Sequence, residues 1–149
     1  MSTPLLIIQK FDIMNLFFNE KEHSRKEVFM LIKMFAVGIG GFIGSVLRYL
    51  ISLIPISQKS TFPFNTFITN IIGALLIGFI ISCADKSEMA PEKLLLLKVG
   101  LCGGLTTFST FSSETFRLLE GGNIITALAY IILSVGISVI CVFLGMKLC

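Results

Sequence analysis

Two stretches of this chain stay uncharged for longer than a bilayer is thick. Ser60 to Ala84 runs 25 residues without Asp, Glu, Lys or Arg, and Gly121 to Met146 runs 26. About 20 apolar residues in helix suffice to cross a hydrocarbon core. Met34 to Ile54 reads as another span, interrupted only by Arg48 near its far end, where a long cationic side chain can snorkel to the interface. Leu94 to Ser113 completes a set of four, with Lys98 close to its start. Composition agrees. The chain is 54% hydrophobic and 14% charged over 149 residues, with mean hydropathy +0.92. Soluble domains carry nearer a quarter charged residues, and so short a chain leaves much of its surface exposed. A soluble enzyme and a disordered chain are both excluded. The class that remains is an all-α integral membrane protein with four transmembrane helices.

The charge and the chemistry-bearing residues narrow the function. A net charge of +3, scattered along the chain, makes no basic face for nucleic acid. His23 stands alone in a polar stretch, which leaves a histidine-based zinc site or catalytic triad without support. Cys83, Cys102, Cys141 and Cys149 have no metal-type spacing and are expected to be small apolar membrane residues kept reduced. No nucleophile–base pair is evident, so the chain is not read as an enzyme. The connectors are short: Pro55 to Thr61 carries Lys59, Asp85 to Lys93 carries Pro91, and Gly121-Gly122 separates the last two spans. Residues 1–33 are different, with nine charged positions and no signal-peptide core; they are expected to be an interfacial or disordered extension, or a stretch upstream of a start at Met30 or Met34. The domain proper is then 34–149.

The span Leu94–Ser113 is abnormal. Gly100, Gly103 and Gly104 fall inside it, followed by Thr106-Thr107-Phe108-Ser109-Thr110-Phe111. Three glycines in five positions make a poor helix interior. Unwound backbone is allowed in lipid only where protein buries it or it lines a cavity, and interrupted spans point to ion or substrate sites. Close helix packing through Gly100-x-x-x-Gly104 is the competing account. Phe108 and Phe111, three apart, share one helical face among hydroxyl residues. Asn70 lies deep in its run, as a helix–helix clasp or a pore-lining donor. Thr126, Tyr130, Ser134 and Ser138 recur every four residues as one polar stripe. Glu114 closes the third span, and no carboxylate lies at depth. Cation paths normally carry carboxylates, whereas a donor-rich, uncharged interior with polarised ring edges suits a small anion.

Three motifs now combine: Gly40-Gly41-x-x-Gly44-x-x-x-Arg48-Tyr49, Asn65-Thr66-x-x-x-Asn70-x-x-Gly73, and Gly100-x-Cys102-Gly103-Gly104-Leu105-Thr106-Thr107-Phe108-Ser109-Thr110-Phe111-Ser112-x-Glu114. Together, in this order from Met34 to the C-terminus, they resemble the Fluc/CrcB family of fluoride channels. The resemblance implies passive export of cytoplasmic fluoride through a cell (inner or plasma) membrane, protecting the cell from fluoride toxicity. It implies an antiparallel, dual-topology homodimer of four-helix subunits with the third helix broken. Asn70 would donate to fluoride, Phe108 and Phe111 would offer ring edges with Thr110 beside them, and Tyr130, Ser134 and Ser138 would form a polar track. Arg48 and Glu114 would sit at the vestibule. A structural sodium ion at the dimer centre would be held by the main-chain carbonyls of Gly103 and Thr106 of each subunit. The alternatives are a small multidrug-type cation/proton antiporter and a structural membrane subunit. The antiporter needs a membrane carboxylate, and Met34–Ile54 has none.

Overall fold

A computed structural model describes residues 3–56 and 60–149, with side chains described from residue 20 onward. Lys59 and the side chains of Lys10 and Asp12 lie outside the described residues. The helices are α1 (Thr3–Ser52), α2 (Phe64–Lys86), α3 (Pro91–Leu94), a π-helical segment (Leu95–Cys102), α4 (Gly103–Leu105), α5 (Phe108–Glu120) and α6 (Ile124–Lys147). Four helical stretches are long and apolar enough to cross a membrane: Glu20–Ser52, Phe64–Lys86, Pro91–Glu120 and Ile124–Lys147. The chain is a multi-pass membrane protein. It divides into two compact units, Met1–Met34 and Phe35–Cys149. In the first, residues 20–32 are exposed, with helical pairs Lys26–Glu22 at 2.9 Å and His23–Glu27 at 3.2 Å. Exposed pairs of this kind contribute little to stability.

In the second unit, glycine decides how closely the helices approach. A Cβ on Gly40 would strike the Leu96 carbonyl, and one on Gly100 would come within 2.8 Å of the Gly40 Cα. Gly44 faces the Leu101 carbonyl, and Gly104 lies against the backbone of Gly41. The same device joins α2 to α6, where Gly78 meets the backbone of Val142 and Gly145 that of Leu75. Small residues let backbones touch where lipid removes any hydrophobic drive between helices. Asn65, at the start of α2, donates to the carbonyls of Ile51 (2.8 Å) and Ile54 (2.8 Å), tying α2 to the end of α1 and the turn that follows it.

The expected place of the break changes here. The backbone at Cys102 and Gly103 stays in the right-handed helical region, so the glycines do not unwind the helix, and Gly100 and Gly104 pack it against α1. The interruption comes later, at Thr106 (φ −76°, ψ 155°) and Thr107 (φ −148°, ψ 118°), both extended. As the sequence indicated, the third span runs on from Ser113 through Glu114 to Glu120, because no helix breaker intervenes before Gly121. The cysteines need a correction too. Cys83 and Cys149 form a disulfide across 66 residues, with Cα atoms 5.4 Å apart, and Lys86 Nζ donates to the carbonyl of Cys149. The packing of α2 along α6 brings these distant positions together. Cys102 and Cys141 are free thiols.

Candidate functional site

The interruption of the third span frees main-chain groups, and side chains take them up. In a continuous helix the Thr107 amide would bond the carbonyl of Gly103. Here it donates to Asn70 Oδ1 at 2.9 Å, and Asn70 Nδ2 donates back to the Thr107 carbonyl at 3.3 Å. One amide side chain thus clasps both backbone groups of one extended residue. Thr107 also caps α5: its Oγ1 accepts from the Thr110 amide at 3.2 Å, the bond that the Thr106 carbonyl would receive in an unbroken helix. The carbonyls of Gly103 and Thr106 are therefore among those whose helical partners are lost at the break. The neighbouring Gly104 carbonyl accepts from Arg48 Nε at 3.0 Å.

Two cavities flank this clasp, and Thr107 lines both. The larger, about 700 Å³, is walled by Asn70, Thr106, Phe108, Phe111, Ser134 and Ser138 among others. The smaller, about 360 Å³, is lined by Arg48, Tyr49, Asn65, Thr66 and Thr110 among others. Phe108 is 79% exposed and sits 5.7 Å from Phe111 between ring centroids. Ser134 is buried on the wall of the large cavity, and its hydroxyl has no hydrogen-bond partner among the described residues. A buried hydroxyl without a partner is costly, and the cavity beside it is where a partner would come from.

The residues anticipated from the sequence fall into three groups. Asn70, Phe108, Phe111, Ser134 and Ser138 meet at the large cavity, with Gly103 and Thr106 on its wall. Arg48 and Thr110 face the small one. Tyr130 and Glu114 belong to neither. Tyr130 is fully buried, packed against Phe62 and Phe111, and its hydroxyl donates to Glu114 Oε2 at 2.8 Å. Thr66 Oγ1 donates to Glu114 Oε1 at 2.8 Å. Glu114 thus lies inside α5 with both oxygens engaged, since the helix runs on to Glu120. The four-residue polar stripe of α6 accordingly splits: Tyr130 turns to Glu114, while Ser134 and Ser138 face the cavity. Thr107 was not singled out from the sequence. The signal available was a threonine placed to cap the helix that begins at Phe108.

Known proteins bear on the arrangement. The family profile described as "CrcB-like protein, Camphor Resistance (CrcB)" matches residues 35–146. A "Fluoride-specific ion channel FluC" of Clostridium perfringens is 47% identical over 120 residues, covering 79% of this chain and 94% of the relative. Proteins with the same description from Shewanella pealeana and Methanococcus aeolicus are each 44% identical over 113 residues, covering 75% and 76% of this chain and 91% of each relative. With the profile spanning most of the second unit and relatives matched over nearly their whole length, the chain belongs to the CrcB-like family.

Proposed function

We propose that this protein is a fluoride channel that lets the anion leave the cytoplasm passively through the cell's inner or plasma membrane. Relatives described as fluoride-specific channels support the ion. The observation that carries the reading is the Asn70–Thr107 clasp between two cavities, with polarised phenyl edges and hydroxyls around it and no free carboxylate on the walls. A fluoride ion gives up strongly held water, so its path needs donors at close range and no fixed negative charge. Asn70 has a second amide hydrogen beyond the one given to Thr107, and this is the donor we assign to the ion. Phe108 and Phe111 offer ring edges, Thr110 and Arg48 face the smaller cavity, and Ser134 and Ser138 continue the larger one. Residues 34–149 form the channel domain, with 1–33 as an extension. The test is Asn70→Asp in liposomes loaded with fluoride. Efflux is expected to fall to background while gel filtration still shows the folded species; normal efflux would remove Asn70 from the path.

The second part of the proposal is the assembly. A cavity lined by Phe108 with most of its ring exposed is open on one side, and a second copy of the chain, inserted in the opposite sense, would close it. The Gly103 and Thr106 carbonyls, freed at the break, suit a sodium ion at the centre of such a dimer. They are hard, neutral oxygens, and among the described residues no three His, Cys, Asp or Glu side chains gather to hold a metal. Bound there, the ion would supply charge to the diverted carbonyls and join the two breaks. Anomalous or difference density at about 2.4 Å from these oxygens is expected. A dry interface free of any ion at good resolution would refute the assignment.

A further inference from the structure

Lys98 stands on the wall of the larger cavity, in the π-helical segment, within the span Pro91–Glu120. Its side chain is exposed. Among the described residues it has no ion pair and no hydrogen bond. A cation inside a membrane span either faces water or a cavity or pairs with an anion, because bare hydrocarbon makes its charge expensive. Here no acid is paired with it, and the cavity it borders holds Asn70, Phe108 and the unpartnered hydroxyl of Ser134. Every other side chain on that wall is neutral, so Lys98 is the one charged side chain lining the cavity, beside the ion proposed at the Gly103 and Thr106 carbonyls.

Resting on the fluoride-channel reading, we propose that Lys98 is the electrostatic collector of the path: a fixed positive charge that concentrates the anion in the cavity before it reaches Asn70. Its role is to set the local concentration of anion; the ion need not bind the ammonium. A wide-mouthed cavity focuses the field of a charge on its wall and raises the rate at which a counter-ion enters. For a charge acting through water across about 8 Å, Coulomb's law gives roughly a two- to threefold enrichment at low salt. Screening at about 1 M salt, where the Debye length is about 3 Å, removes it.

Single-channel recording of the full chain in planar bilayers tests this at fixed fluoride, with an impermeant salt varied. At low ionic strength, Lys98→Gln is expected to lower fluoride conductance roughly two- to threefold, and Lys98→Glu about as much again. Lys98→Arg is expected to match the unsubstituted chain, and all four are expected to converge near 1 M salt. Equal conductance for Lys98→Gln and the unsubstituted chain at low salt would overturn the proposal. So would a loss in Lys98→Gln that persists unchanged at high salt, which would mark Lys98 as a packing residue. If Lys98→Glu does not fold, Lys98→Gln and Lys98→Arg carry the comparison alone. Absence of fluoride current in the unsubstituted chain would overturn the channel reading itself, and this role with it; charge-independent current would overturn only the role of Lys98.

Discussion

At the scale of single residues, the two phenylalanines separate packing from chemistry. Phe108 is largely exposed, so its ring contributes little to the folded core, whereas Phe111 touches both Phe108 and the buried Tyr130. Phe108→Leu is therefore expected to leave thermal stability nearly unchanged, and Phe111→Leu to cost on the order of 1 kcal/mol. Both are expected to reduce fluoride efflux more than stability, because leucine keeps volume but lacks a polarised ring edge. Unchanged efflux in both, and in the double variant, would return the rings to packing. Asn70 was legible as a polar group too deep to be idle, and the structure finds it clasping Thr107. Tyr130 was legible as polar but its direction was not. A helical stripe records which face a residue occupies, and the bond to Glu114 depends on how a neighbouring helix, α5, packs beside α6.

At the scale of elements, glycine spacing did two jobs that a sequence cannot tell apart. A Gly-rich segment weakens a helix and also allows close approach, and only the neighbour decides which matters. Here α1 presents Gly40, Gly41 and Gly44 to the third span, so the π-helical segment and α4 remain helical against it. The break falls instead at Thr106–Thr107, where side chains can replace the lost main-chain bonds. Gly100→Ala is thus expected to destabilise the protein by roughly 1–3 kcal/mol through overpacking against Gly40 and the Val37 carbonyl. Gly38→Ala, with nothing within 4 Å of the added carbon, is expected to be neutral or slightly stabilising. Denaturant titration in detergent micelles measures both, and equal effects would show that the helices do not meet through these glycines. The four spans themselves were readable because absence of charge over 20 residues leaves few other folds open.

At the scale of the whole molecule, the question is which way the chain inserts. Counted from the sequence with both termini of the four-span chain on one side, that side would have Lys86, Lys93, Lys98 and Lys147 against Arg48, Lys59 and Arg117. Four against three gives the positive-inside rule little to act on, as insertion in both senses requires. In the same sequence count the extension would add Lys10, Lys21, Arg25, Lys26 and Lys33 to the terminal side, nine against three, a bias toward a cytoplasmic N-terminus. A chain begun at Met30 is therefore expected to insert both ways in about equal amounts, with the antiparallel pair as the active species; one-sided labelling of cysteines placed in the 55–61 connector of a functional short chain would refute this.

The Cys83–Cys149 bridge turns that question into a count of thiols. It joins the last residue of the chain to the end of α2, at one end of the helical bundle. Disulfides persist outside the cell and are reduced in the cytosol. Two copies of opposite insertion would then be identical in sequence yet different in covalent structure, one stapled at this end and the other open. The compartments, and not the protein, would break the symmetry of the pair. With Cys102 and Cys141 free in every copy, exhaustive alkylation of the denatured chain is expected to add an average of three labels per chain when both senses are equally used. An average of two would mean that this end of every copy lies outside the cytosol, and that no antiparallel pair exists.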